Sequence, residues 1–322
     1  MLYNSNAKKI LFDPLKTGAD HLYIVSSYAA PTMLSWYMTN LINRTSKQIQ
    51  ISLVVGMVPY DGISTSVHNG FIGIIRGDLP WEVSKIECSY VYEMPAVHSN
   101  IYIWDTDGHP EVAYTGSAEF VQRSFIGNQC QDLMMRYNPN EAMDFYQSIT
   151  DRCIYASHSE IEEYVTIRQV QAVFDHENVK NDVSAVNDTI RLSLLTKNGY
   201  PGTSSGLNWG QRAGRNPNQA YIPLPQTVAK SGFFPLERRH FFVMTDDRKS
   251  LIMRVEQQND KAITTPSNNS LLGEYFRNRL GLSYGARITR DDLYRYGRTD
   301  VTFTKLEEDL FYMDFSPFGS SK

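Results

Sequence analysis

The rule that places apolar residues along this chain changes across a polar stretch poor in aromatics, Asp175 to Asn187. Ahead of it, Leu22 to Tyr28 reads as a short apolar strand, Met33 to Arg44 has helical spacing, and Gln50 to Val58 is a run suited to a buried strand. That strand-helix-strand opening predicts an α/β domain. Strands at Ser89 to Tyr92, His98 to Trp104 and Val112 to Thr115 continue it, with Asp107-Gly108 as a hairpin turn. A helix is expected over Asn140 to Ser148, with Asn140 as its cap and Glu141 in its first turn, and a polar connecting stretch over Ser157 to Arg168. Behind the divide come short strands broken by turns: Thr189 to Leu195, Ala220 to Pro223, Phe241 to Thr245, Leu251 to Val255 and Val301 to Thr304. Their spacing predicts a small β-barrel or sandwich interrupted by two polar segments, Gly202 to Gln219 and Thr264 to Gly281. A length of 322 residues accommodates two domains, and the divide places them at 1–175 and 189–322 with a linker at 176–188.

Charge follows the same division. Thirteen of the nineteen arginines lie after position 190. Residues up to His176 carry 11 Lys+Arg against 19 Asp+Glu, net -8, whereas the remainder carries 20 against 16, net +4. A cationic tail suits a polyanionic partner. The longest apolar runs, such as Ile51 to Val58, fall short of the roughly 20 residues that span a bilayer, so no membrane partner is expected. The amino terminus lacks the basic and apolar regions of an export signal, and a cytoplasmic location is expected. Cys88, Cys130 and Cys153 are odd in number and lack C-x-x-C spacing, which predicts ordinary thiols with neither a disulfide framework nor a structural zinc.

One compact motif stands out in the acidic half: His98-Ser99-Asn100, Asp105, then Gly116-Ser117-Ala118-Glu119. His98 and Asn100, two apart on a predicted strand, are expected to share a face. The hairpin returns to Gly116-Ser117, where a glycine lets backbone approach a phosphate. A neutral imidazole can attack phosphorus and form a covalent intermediate while a second imidazolium protonates the leaving oxygen, so such chemistry needs two histidines. The bland alternative is that His98 and Asn100 are structural residues of a half-buried strand. His109 and His158 read as surface residues, His68 as a turn residue or a lining of the cleft, and Trp81 and Trp104 as core.

The frame His98-x-Asn100, Asp105, Gly116-Ser117 resembles the H-x-K-x(4)-D...G-S-x-N signature of the phospholipase D superfamily. With Leu53-Val-Val-Gly-Met57, Asp61-Gly-Ile-Ser64 and His68-Asn-Gly70, residues 10 to 165 are similar to its NgoFVII/NgoAVII-type restriction endonuclease branch, related to BfiI. The resemblance implies a homodimer in which two His98 residues face each other and form a phosphohistidine without a metal or other cofactor. It also implies a separate ATP-driven translocase as a partner of some members. Asn100 stands where the family has lysine and Glu119 where it has asparagine. Three consequences stay open: an impaired site, a Glu119 that is protonated or orients another group, or compensation by Arg123 or a cation. Asp132 is the nearest acid to where the family carries a carboxylate that orients histidine, in a stretch holding Gln129 and Cys130. His98, Asn100, Ser117, Glu119 and Asp132 are the candidate catalytic residues.

The cationic half offers two polar segments. Trp209, Gln211, Arg212, Arg215, Asn216 and Asn218 combine an aromatic, amides and guanidinium groups that can bind base edges or phosphate. Lys261, Thr264, Thr265, Asn268, Asn269 and Ser270, leading into Arg277 and Arg279, supply a second set. Either set, taken singly, also fits a merely solvated loop. Asn208-Trp-Gly-Gln-Arg212, Ala220-Tyr-Ile-Pro-Leu-Pro225, Phe233-Phe-Pro235, Leu272-Gly-Glu-Tyr-Phe-Arg277 and Tyr296-Gly-Arg-Thr-Asp300 resemble the DNA-binding pseudobarrel shared by these enzymes and plant transcription factors. The resemblance implies two arms on double-stranded DNA, Trp209 to Asn218 and Thr264 to Arg279, with Arg298 tying the barrel. The expected architecture is an α/β phospholipase D-like nuclease domain followed by a mostly β pseudobarrel. Its expected activity is sequence-specific DNA cleavage. The rivals are a DNA-binding protein with an impaired head and a lipid or other phosphodiester hydrolase.

Overall fold

The computed structural model describes residues 7–127, 130–168, 189–266 and 268–318. The chain packs as two compact units, Met1–Val170 and Gln171–Lys322. The expected linker, 176–188, lies outside the described residues.

In the first unit the strands are β1 (His21–Ser26), β2 (Ile49–Val55), β3 (Ile63–Ser64), β4 (Val83–Val91), β5 (Asn100–Thr106), β6 (His109–Gly116), β7 (Met134–Tyr137), β8 (Cys153–Tyr155) and β9 (Ile167–Arg168). Seven of them form one sheet in the order β7-β6-β5-β1-β2-β4-β8, and β3 pairs with β9 apart from it. β1, β2 and β4 run parallel at its centre, and the apolar run of β2 suits a strand covered on both faces. β5, β6 and β7 follow as antiparallel neighbours of β1. The carboxyl ends of β1, β2, β4 and β6 and the amino ends of β5 and β7 therefore share one end of the sheet. The helix Pro139–Thr150 covers β5 and β6 and buries Ala142, Met143 and Ile149 against Val25, Val54 and Ile103.

The Asp107-Gly108 hairpin forms as expected, with φ of 51° and 84° and Thr106 paired to His109. Three local expectations are corrected. Asn138, not Asn140, caps the helix: its Oδ1 accepts from the backbone of Asn140 and Glu141, and Pro139 follows at the first helical position. His68-Asn69-Gly70 lies inside the helix Thr65–Arg76, capped by Ser64, because burial of Phe71 and Ile74 outweighs the local turn preference. His68 is buried there with its ring 3.2 Å from the Tyr90 hydroxyl. Trp104 is core as expected, donating to the Ile10 carbonyl at 2.7 Å, whereas Trp81 is 62% exposed in the turn before β4.

The second unit contains β10 (Thr189–Ser193), β11 (Ile222–Pro223), β12 (His240–Thr245), β13 (Ser250–Glu256), β14 (Ala262–Thr264), β15 (Asp300–Glu307) and β16 (Leu310–Asp314). They form one sheet in the order β10-β15-β16-β12-β13-β14-β11, and β10 and β11 approach each other so that the sheet is a nearly closed barrel. Phe234, Phe241, Phe303 and Phe311 fill its interior with tilted and edge-on ring contacts. β14 and β16 escape sequence inspection because each is short. Thr264 to Gly281, expected as a polar loop, is corrected: it contains the helix Ser270–Leu280, which buries Leu272, Tyr275 and Phe276 at helical spacing. Arg298 ties the barrel as expected, bonding Asp300 and Thr302 of β15 to Asp314 and Ser316 at the end of β16.

Candidate functional site

Every candidate catalytic residue of the first unit lies at the sheet end where β1, β2 and β6 finish and β5 and β7 begin. Open α/β sheets bind ligands at the carboxyl ends of their strands. His98 lies in the lead-in to β5, which Val97 pins by donating to the Gly56 carbonyl at 3.0 Å. A Cβ on Gly56 would stand 2.1 Å from the Val97 carbonyl, so a glycine is required at the end of β2 for His98 to take its position. The expectation that His98 and Asn100 share a face is overturned. β5 begins only at Asn100, so period-two alternation does not reach His98, which is exposed while Asn100 is 6% exposed.

Asn100 is a clamp. Its Oδ1 accepts from Ser26 Oγ at 3.1 Å, Ser27 N at 3.0 Å and Ser27 Oγ at 3.1 Å. Its Nδ2 donates to the carbonyls of Gly116 and Ser117 at 3.4 and 3.3 Å. The amide thus joins the ends of β1 and β6 and is turned into the fold. Gly116 has a further reason: a Cβ there would meet the Leu133 carbonyl at 1.9 Å, so the glycine admits the chain entering β7. Asp105 lies at the opposite end of the sheet, where it accepts from the Gly108 amide at 2.8 Å and holds the hairpin.

Around this clamp the polar groups are linked. Ser117 Oγ donates to Asp132 at 2.8 Å and accepts from the Leu133 amide at 2.9 Å. Ser27 Oγ lies 3.4 Å from Glu119, and Glu119 forms an ion pair with Arg123 at 3.0 Å. Tyr28, at the end of β1, donates its hydroxyl to Asp61, which pushes its pKa up to about 12 and keeps it protonated at neutral pH. Ser26, Ser27, Tyr28 and Asp61 are members that sequence inspection missed. The signal for the first three is the abrupt change from apolar to polar residues where the first strand ends, whereas Asp61 stood in the motif Asp61-Gly-Ile-Ser64 without a role. Among the described residues no group of three or more His, Cys, Asp or Glu side chains is placed to hold a metal ion.

In the second unit the expected DNA contacts divide by burial. Arg212, Arg215 and Asn216 are exposed, with Trp209 and Gln211 partly so. Arg215 lies 4.2 Å from the centre of the Trp209 ring and donates to Gln219 at 3.0 Å, which fixes its guanidinium at the surface. Arg212 is braced by the Ser204 carbonyl at 2.8 Å, Asn216 accepts from Tyr284, and Gln211 donates to Gly285 at 2.9 Å. Lys261 and Asn268 are exposed and Asn269 partly so.

Asn218, Thr264, Thr265, Ser270 and Arg277 are at most 6% exposed; for all but Thr264, which lines a groove, the expectation of direct DNA contact is corrected. Arg277 spends its guanidinium on the carbonyls of Ala286, Gly273 and Pro217 at 2.8, 3.1 and 3.2 Å. Asn218 accepts from Gly285 and Thr264 donates to Glu256, each at 2.8 Å. Thr265 donates to the Asn268 carbonyl at 2.7 Å and the Ser270 amide to Asn268 Oδ1 at 2.9 Å. Arg279 pairs with both carboxylate oxygens of Asp246 at 2.8 and 2.6 Å. These residues support the surface from beneath.

Trp209 and Asn269 line a groove of about 400 Å³ together with Arg238, Gln257, Gln258 and Asp260. The last four were not expected. Gln257 and Asp260 lie in the β13–β14 hairpin with φ of 73° and 54°, and the polar run Gln257-Gln258-Asn259-Asp260 between two apolar segments was the available signal. The groove thus joins this hairpin to Asn269, within the segment Thr264 to Arg279 that was expected as the second arm.

The sequence profile of the NgoFVII restriction endonuclease N-terminal PLD domain matches residues 4–163, and that of the NgoFVII C-terminal B3-like DNA-binding domain matches residues 183–307. An α/β head with this polar cluster and a barrel with this groove define a restriction endonuclease with a phospholipase D-like N-terminal domain and a DNA-binding C-terminal domain. The chain belongs to the NgoFVII restriction endonuclease family. No curated protein matches it. A polyphosphate kinase of Porphyromonas gingivalis resembles it at 13% identity over 52% of this chain, with a TM-score of 0.29; the chain spans 24% of that protein, and the likeness carries no argument. No helix among the described residues is long and apolar enough to cross a membrane.

Proposed function

We propose that the chain is a type II-like restriction endonuclease subunit acting in the cytoplasm as a homodimer. Its barrel recognises a short double-stranded DNA sequence, and the two His98 residues of the dimer cleave the backbone. One neutral imidazole attacks phosphorus, forming a P–N bond as the P–O bond to the leaving oxygen breaks, and the partner imidazolium gives that oxygen its proton. Water then breaks the P–N bond with the second imidazole as base. Exposed His98, leading into β5 at the ligand-binding end of the sheet in a chain of this family, is the observation that carries the reading. The chemistry calls for no cofactor, and ATP enters only through a separate translocase subunit.

The test is plasmid cleavage in EDTA, with and without an ATPase partner. Wild type is expected to cut and His98→Ala to bind DNA without cutting; equal cutting by both removes His98 from the mechanism. A sequence-specific DNA-binding protein with an impaired head is the second reading, favoured by the inward-turned Asn100. Binding of DNA with no cleavage by wild type under any of these conditions selects it.

A further inference from the structure

We propose that Arg123, held by Glu119, is the cation that neutralises the phosphodiester at the head, an inference that rests on the nuclease reading of His98. The non-bridging oxygens of a phosphodiester carry negative charge, which hydrogen-bond donors and cations must meet as phosphorus passes through five-coordination. Asp61, Glu119 and Asp132 are carboxylates at this end of the sheet. Asp61 accepts from Tyr28, a neutral donor that does not cancel its charge, and Asp132 accepts from Ser117. Asn100 contributes no charge and its amide is consumed inside the fold. A site composed of these groups alone repels its substrate.

Arg123 offsets one of these charges and presents a cation to solvent. Its guanidinium joins the same hydrogen-bonded chain as the motif, through Glu119 to Ser27 and from Ser27 to Asn100. The side chain is 67% exposed against 21% for Glu119, so the carboxylate is fixed in the wall while the guanidinium faces solvent. The Glu119 contact is made by Nη2, which leaves the Nη1 and Nε N–H groups, on different edges of the guanidinium, as donors for a phosphate oxygen. Glu119 is therefore the positioning residue and Arg123 the one that touches substrate. Arg152, at the same end, is occupied differently: its Nη1 bonds the carbonyls of Glu93 and Pro95 and braces the approach to His98.

The test uses the full chain and bis(4-nitrophenyl) phosphate, a small phosphodiester whose turnover bypasses recognition by the barrel. Arg123→Ala is expected to lower kcat/KM by about 100-fold, as loss of one charge-stabilising donor does, and to weaken competitive inhibition by inorganic phosphate. Arg123→Lys is expected to restore much of both, and Glu119→Gln to cost less than Arg123→Ala. Activity and phosphate inhibition of Arg123→Ala within about threefold of wild type overturn the proposal, as does Arg123→Lys with no recovery in either. His98→Ala separates the two ideas. If it is inactive while Arg123→Ala is unaffected, only the role of Arg123 falls; if it is as active as wild type, the nuclease reading falls first. Should wild type turn over no probe, broadening of the phosphate ³¹P resonance replaces turnover: broadening lost in Arg123→Ala supports the proposal, and equal broadening or none overturns it.

Discussion

Asn100 shows how one side chain can satisfy a sequence motif and leave its expected task. A lysine at this position would have to place an ammonium among Ser26, Ser27, Gly116 and Ser117, where the groups now accept and donate to an amide. Asn100→Ala removes five hydrogen-bond contacts at a buried junction and is expected to destabilise the head by about 2 to 3 kcal/mol, because buried donors are left without partners. Asn100→Lys is expected to be at least as damaging and to leave cleavage no higher than wild type. Urea unfolding and a plasmid assay check the pair; an Asn100→Lys protein that is stable and faster would show that the amide is an impaired phosphate ligand instead. The composition of the motif was legible in the sequence. The direction of its side chains was not, because the strand starts at Asn100 and His98 lies outside its alternation.

At the scale of elements, β2 at the centre of the head was legible because burial on both faces writes a continuous apolar run, whereas β4, with polar residues interspersed, was read only in its last part. The helices Thr65–Arg76 and Ser270–Leu280 were hidden by Asn-Gly, Gly and Asn residues that favour turns locally, and only contacts distant in sequence overrule that preference. β12 carries a pH dependence of the same origin. His240 is fully buried at its start and opposite Arg254, and burial, aided by that guanidinium, lowers its pKa to about 3. Above an unfolded-state pKa of about 6.5 the group is neutral in both states and contributes no slope. Below it the unfolded chain takes up a proton that the folded barrel refuses, so stability falls by about 1.4 kcal/mol per pH unit as pH drops from roughly 6.5 toward the folded pKa. Urea midpoints at pH 7 and pH 5 are expected to fall less in His240→Gln than in wild type. Equal slopes would mean that His240 is protonated within the fold.

At the scale of the whole molecule, the two halves carry opposite net charge, and the cationic half is the one with the B3-like match. DNA affinity is expected to fall steeply with salt as counterions are released. Arg238→Ala and Gln257→Ala, in the groove, are expected to cost about 1 to 3 kcal/mol on the cognate site alone, whereas Lys261→Ala is expected to weaken all sequences alike and to reduce the salt slope. Competition binding with cognate and scrambled duplexes at several salt concentrations decides this. Equal losses on both duplexes from the groove substitutions would make the groove a backbone contact.

Periodicity and turn residues pointed to an α/β front half and a mostly β back half, because burial and turn chemistry are recorded residue by residue, and the family was named from the resemblance of its motifs. Only the folded arrangement decided that Asn100 faces inward, that Arg123 meets Glu119, that Arg277 lies beneath the surface and that Arg238 and Gln257 line a groove with Trp209. Those outcomes depend on which strand ends meet and which atoms exclude one another in space, and two residues far apart in the chain carry no local mark of that encounter.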